Sequence, residues 1–449
     1  MPIRRRTLRL FARVLPVLTV AAVFALVVAG CGEDDDGGGA AQGSDSTTAE
    51  ASDEPVTLSV GLFGTFGYKE AGLYDEYMDL HPNVTIEETS IEFEQDYYQA
   101  LQTHLAGGAG LSDIQGIEVA RIAEVTQTQA DKWVDLNELG AGELEDTFFP
   151  WKWQAATTAD GATLGLGTDT GPQAICYRTD LFEQAGLPTD REELAAMWET
   201  WDDFLGVGAQ YVQNAPEGAA FMDSPTGLYN AIIGQSETQY YDEEGNPIYE
   251  SNPAVKEAWD IAVRAIEGGL TAKLEQFDQA WNQAFASGAF ATIACPAWMI
   301  GYIKGQAGDG AAGKWDVASI PGDGGNWGGS YLSIPTASEH QEEAFELIKW
   351  LTAPEQQVKM WTQAQHFPSS STASADPAVA SATDDYFSGA PIGEIFKESA
   401  DDLPIAILGP KDGVVKDSIS NGLNRVDQQG QDPDEAWQQT MDEIASAIE

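Results

Sequence analysis

Positive charge is what this chain is short of. Its 449 residues hold 22 Lys and Arg against 72 Asp and Glu, a formal net charge of −50. A surface so poor in cations repels phosphate backbones, which excludes nucleic acid as a partner, and it is equally repelled by an anionic lipid face. The same acids keep a secreted chain soluble. Histidine is scarce too: His81, His104, His340 and His366 are scattered, and no Cys or His pair has ligand spacing, so no metal site is expected. There is no GxSxG, P-loop, HExxH or CxxC, and no cofactor is implied. The glycine-dense run Gly322–Ser330 lacks the Lys-Ser/Thr ending and the following helix of a phosphate loop. Carboxylate pairs arise by chance among 72 acids and argue little for a glycoside hydrolase.

Only three cysteines are present. Cys31 closes Leu26-Val27-Val28-Ala29-Gly30-Cys31, preceded by Arg4, Arg5, Arg6, Arg9 and Arg13 and an uncharged run from Val14 to Ala29. A basic start, an apolar stretch and small residues at its end make a signal peptide over 1–30. The cysteine that follows resembles a bacterial lipobox, so Cys31 is the expected lipidation site. The chain is then extracytoplasmic, anchored to the outer face of the cell membrane. An uncleaved transmembrane anchor is the alternative, but the run is at the short edge of a bilayer span and contains Pro16. Cys176 and Cys295 sit in strand-like stretches, Ala174–Tyr177 and Ala291–Cys295. An oxidising exterior permits a disulfide, and two buried free thiols fit equally well.

The length calls for two or more domains. Residues 31–54 are rich in Gly, Ser, Thr, Asp and Glu without an aromatic, and read as a flexible tether. From Val56 the pattern alternates: strand Val56–Leu62, helix Tyr68–His81, strand Val84–Glu88, helix Asp96–Ala106, strand Asp113–Glu118. That order predicts an α/β layer with parallel strands and ligand beyond their carboxyl ends. Further helices are predicted over Arg191–Gly206, Pro253–Gly268, Gln279–Ser287, Glu339–Leu351 and Pro433–Ile448, the last capped by Asp432.

Aromatics in loops carry the chemical signal. Trp298 follows a predicted strand, Trp327 sits among glycines, and Phe66 and Tyr68 occupy the first strand-end loop. A sugar ring offers apolar C–H faces to aromatic rings and a rim of hydroxyls to Asp, Glu, Asn or backbone groups. Each aromatic could equally be core or rim packing. Loop placement favours contact with ligand for Trp298 and Trp327, and packing for Phe66 and Tyr68.

Several stretches carry a family likeness. They are Cys176-Tyr177-Arg178-Thr179-Asp180-Leu181-Phe182 with Ala185-Gly186-Leu187-Pro188, Trp201-Asp202-Asp203-Phe204, and Phe285-Ala286-Ser287-Gly288. Ile320-Pro321-Gly322 with Gly328-Gly329 and Ile334-Pro335 follow, then Ala344 to Thr352 with Pro354-Glu355. In this order the chain resembles the extracellular solute-binding proteins of ABC sugar importers, the group of maltodextrin- and multiple-sugar-binding proteins, from about Val56 to Glu449. Cys176, Arg178, Ala289 and Phe290 depart from the usual pattern. The opening Gly61–Lys69 and the two tryptophans look most like binders of cellobiose or similar β-linked oligosaccharides.

The resemblance implies an α/β fold of two lobes with a hinge and a ligand cleft between them. Lobe 1 would hold 55–118 and 317–366, and lobe 2 would hold 119–316 and 367–449. It implies a monomer that catalyses nothing, takes a carbohydrate and passes it to ABC permease subunits. Trp298 and Trp327 are then expected to stack on sugar rings. Asp169 and Glu118 should bond hydroxyls, Phe66 should line a wall, and Gly328 and Gly329 should let the backbone approach the ligand. Asn230 is a further candidate, set against ordinary helix surface. Three rivals stand: a binder of a non-sugar solute, a lipoprotein sensor, and a secreted glycosidase, which sugar release from β-glucans would reveal. An anionic ligand is disfavoured because Lys69 is the one cation in the proposed loops.

Overall fold

The structure, a computed structural model, describes residues 54–448. The expected signal peptide, the lipidation site Cys31 and all but the last residue of the tether lie outside the described residues.

Eleven strands make up the sheets among the described residues. The first sheet has the order β2-β1-β3-β10-β4, built from β1 (Val56–Phe63), β2 (Val84–Ile91), β3 (Ile114–Glu118), β4 (Leu166–Gly167) and β10 (Ser330–Ser333). β1 runs parallel to β2 and β3, as the alternation of strand and helix predicts, whereas β10 runs antiparallel to both of its neighbours, β3 and β4. Val56, Leu58, Val60 and Leu62 alternate inward along β1. Each such buried aliphatic side chain stabilises the fold by about 1.5–3 kcal/mol. The helix Gln341–Leu351 covers the sheet with Ala344, Phe345, Leu347, Ile348 and Leu351, an apolar stripe at helical spacing.

The second sheet has the order β7-β8-β6-β9, from β6 (Gln173–Arg178), β7 (Ala220–Met222), β8 (Phe290–Pro296) and β9 (Trp315–Ser319). β6 and β8 are buried along their whole length, the mark of central strands covered on both faces. Their antiparallel register sets Ala174 opposite Cys295 and Cys176 opposite Ile293, and a disulfide joins Cys176 to Cys295 with their Cα atoms 5.4 Å apart. A short ladder of β5 (Asp169–Thr170) with β11 (Phe367–Pro368) belongs to neither large sheet.

Strand pairing moves two segments across the lobe boundaries expected at 119 and 317. Leu166–Gly167 pairs with Leu332 and Tyr331, and Val134 donates to the Ile334 carbonyl, so 133–167 packs on the first sheet. Val317–Ser319 pairs with Ala174–Cys176 in the second. These contacts join residues far apart in sequence, which a reading along the chain does not capture.

Two predicted helices are shorter or split. Gly72, at φ 70, delays the first to Leu73–Leu80. The expected helix Arg191–Gly206 becomes Arg191–Met197 and Trp201–Asn214, because Thr200 caps the second by accepting from the Asp203 N–H. The final helix starts as predicted, with Asp432 accepting from the N–H groups of Asp434 and Glu435. Among the described residues no helix is long and apolar enough to cross a membrane.

Candidate functional site

A cavity of about 1080 Å³ opens where the carboxyl ends of strands from both sheets meet, and all eight candidate residues line it. Phe66 follows β1 and Glu118 ends β3. Asp169 starts β5, and Trp298 stands in the first turn of the helix Ala297–Ala307 that follows β8.

Trp298 and Trp327 form the most defined part of the wall. Their rings meet edge to face, with centroids 5.7 Å apart and planes at 82°. Trp298 Nε1 donates to the Trp327 carbonyl at 2.9 Å, and the Trp327 N–H donates to the Gly171 carbonyl at 2.8 Å. The indole N–H of Trp298 is therefore engaged inside the protein, and what this side chain can offer a ligand is its apolar ring. Gly328 and Gly329 both have φ 97, a left-handed value that glycine adopts freely. A Cβ on Gly328 would fall 2.8 Å from Trp298 Nε1, and one on Gly329 would fall 2.7 Å from the Asp169 carbonyl. The expected role, close approach of backbone to ligand, thus gains a second cause: these glycines let Trp298 and Asp169 close on the same loop.

Asp169 is buried. Its Oδ1 accepts from Thr168 Oγ1 at 2.7 Å and from the Ser330 N–H at 2.9 Å, and its Oδ2 lies 3.6 Å from His366 Nδ1. Burial alone would raise its pKa. The neighbouring His366 ring, then Lys152 and Thr168, outweigh that and hold the carboxyl below the ordinary range. Glu118 is partly committed: Oε2 caps the following helix by accepting from the Ala120 N–H at 2.7 Å, leaving Oε1, 3.9 Å from Lys416 Nζ. Phe66 packs edge to face on Phe63 at 5.1 Å beside the cavity. Asn230, on the helix Pro225–Ile233, is only 7% exposed, and its Oδ1 has no hydrogen-bond partner among the described residues. A buried unpaired acceptor is costly unless something meets it, which separates Asn230 from ordinary helix surface.

Sequence reasoning missed three residues here. Arg121 is buried, bridges Glu94 at 3.2 Å and Asp417 at 2.7 Å, and lies 4.4 Å over the Tyr98 ring. Lys152 is fully buried behind Gly329, its Nζ 3.9 Å from the Tyr331 ring centroid. Burial pushes its pKa down to about 8, against the opposing pull of Asp169 and Glu118. Phe277 faces the cavity beside Trp298. A cation in an otherwise acidic stretch was the available signal for Arg121 and Lys152; Phe277 left none.

One buried acid behind the cavity makes a pH prediction. Asp412 opens the helix Asp412–Gln429 at 4% exposure, and its Oδ1 is unpartnered among the described residues. Burial pushes its pKa up to about 8, against the Gly409 N–H that Oδ2 accepts at 2.9 Å; Glu118 adds to the rise and Lys416 opposes it. The native state then keeps a proton that the unfolded chain releases near pH 4, so Asp412 lowers stability as pH rises from about 4 to 8. Asp412→Asn retains the bond to Gly409 and is expected to raise stability by about 2–4 kcal/mol at pH 9, with a smaller gain at pH 5. Urea unfolding at the two pH values checks this, and a gain independent of pH would contradict it.

Residues 72–386 match the family described as bacterial extracellular solute-binding protein, and the chain belongs to that family. It is therefore a binding protein and not an enzyme. A lactose-binding protein from Rhizobium radiobacter is 28% identical over 320 residues, 69% of this chain and 72% of that protein. A crystal structure of an extracellular solute-binding protein of family 1 is 42% identical, with a TM-score of 0.76 over 88% of this chain and 100% of that one. The ABC transporter associated binding protein of B. animalis subsp. lactis Bl-04, solved with β-1,6-galactobiose, superposes with a TM-score of 0.75 at 19% identity, over 88% of this chain and 96% of that one. The last shows likeness of fold, that of two-lobe α/β binding proteins.

Proposed function

We propose that this protein captures a di- or oligosaccharide in its inter-lobe cavity and delivers it to the permease subunits of an ABC importer. The observation that carries the reading is one cavity lined by two perpendicular tryptophans, by Asn230 with its unpartnered amide oxygen, and by Asp169 with its charged carboxyl. Aromatic faces suit the C–H faces of a sugar, and sparse fixed acceptors suit its hydroxyls. The relatives that take lactose and β-1,6-galactobiose support a sugar as cargo. We favour a β-linked sugar such as cellobiose. Ligand touching both lobes favours the closed form, which the permease would recognise. The protein acts as a monomer, held on the outer face of the membrane by lipid on Cys31.

The test is calorimetry of the full-length chain against cellobiose, cellotriose, lactose, maltose, maltotriose and xylobiose. Tight one-to-one binding of one linkage class, with the sugar recovered intact, is the expected result. Heat with none of them would sink the sugar assignment.

A further inference from the structure

We propose that Phe277 is a specificity-determining residue of the cleft, held beside Trp298 so that a ligand longer than one sugar ring meets both rings. The inference rests on the sugar-binding reading. Phe277 has φ 69, a left-handed conformation that is unfavourable for a bulky side chain and that a plain turn would give to Gly or Asn. Lys273, four residues earlier in the same loop, is also left-handed at φ 59. Such strain persists only where the surroundings enforce it.

Here they do, from both sides. Gln276 Nε2 donates to Asp223 Oδ2 at 2.8 Å, and Thr226 Oγ1 donates to Gln276 Oε1 at 3.2 Å. Gly227 leaves room for this amide, since a Cβ there would stand 2.6 Å from Gln276 Nε2. Trp281 Nε1 donates to the same Asp223 oxygen at 2.8 Å, and Asp278 caps the next helix by accepting from the Trp281 N–H at 2.6 Å. The Phe277 ring packs 5.0 Å from the buried Trp281, with its centroid 6.2 Å from that of Trp298 and the planes inclined by 30°. It is half-buried and lines the cavity, so one side of it is open to a ligand. The frame places an aromatic ring, not merely a turn. Trp298 thus has two aromatic neighbours at the cavity, Phe277 inclined by 30° at 6.2 Å and Trp327 nearly perpendicular at 5.7 Å, and on the proposed reading Phe277 is the ring that extends the Trp298 surface.

The experiment compares wild type with Phe277→Ala and Phe277→Gly as full-length proteins. It reads dissociation constants for the best disaccharide of the panel and, by competition, for its component monosaccharide, together with thermal unfolding. Both variants are expected to lose about tenfold for the disaccharide and less than twofold for the monosaccharide. The glycine variant, which accepts φ 69 without strain, should melt at or above the alanine variant. Equal losses for the two sugars, or unchanged affinity for both, would overturn the proposal while leaving the transport reading intact. An alanine variant melting above the glycine one would overturn the strained frame. A wild type that binds no sugar would overturn the transport reading and this inference with it.

Discussion

Trp298→Ala is expected to weaken sugar binding by about a hundredfold, equivalent to about 2.7 kcal/mol. Buried tryptophans dominate binding energy where they form a well-packed, desolvated wall. Trp298 does this in two ways. Its half-buried side chain lines the cavity, and its N–H holds the Trp327 carbonyl at 2.9 Å, so truncation removes one ring and frees the other. Trp298→Phe separates the two effects, because it keeps an aromatic face and loses the hydrogen bond; an intermediate loss is expected. Calorimetry gives the affinities and circular dichroism shows whether the fold survives. An unchanged dissociation constant with a native spectrum would remove Trp298 from the binding surface.

The second large effect concerns stability. Changing Cys176 and Cys295 together to alanine is expected to cost about 5 kcal/mol if chain entropy dominates, because the bridge closes a loop of 119 residues. Both cysteines are fully buried in the core of the second sheet, so the lost sulfurs also leave a small void. The bridge links the two central strands β6 and β8, whose pairing the loop must otherwise bring together unaided. Urea unfolding of the oxidised wild type against the double variant measures the difference. Coincident unfolding curves would show that the bridge does not constrain the unfolded chain.

Much of this was legible because local rules decided it. The alternation along Val56–Leu62, the stripe in the helix 341–351, and the Asp432-Pro433 start of the last helix each depend on neighbours in sequence. Phe66, Glu118 and Trp298 came from strand ends, which topology brings together, and all eight candidates reach one cavity. What stayed hidden depends on distant partners or on dihedral angles. Arg121 meets Asp417 across 296 residues, and nothing near Arg121 marks that partner. Phe277 is set by a left-handed backbone that its residue type argues against. The pairing of 166–167 with Tyr331 and Leu332 likewise left no local trace, which is why the lobe boundaries moved.

The two-residue ladder between Asp169–Thr170 and Phe367–Pro368 has a consequence for the order of events in capture. It belongs to neither large sheet, and Asp169 within it grips the first residue of β10. Such a ladder suits a pivot in the proposed closure, and a point on a pivot travels least when two bodies turn about it. On the proposed cycle, Asp169 is therefore in place before the walls arrive. The solute can first settle on a ready floor at a rate set by diffusion and access. The later approach of the walls lengthens its stay, so differences among sugars should be written mainly in how slowly each one leaves.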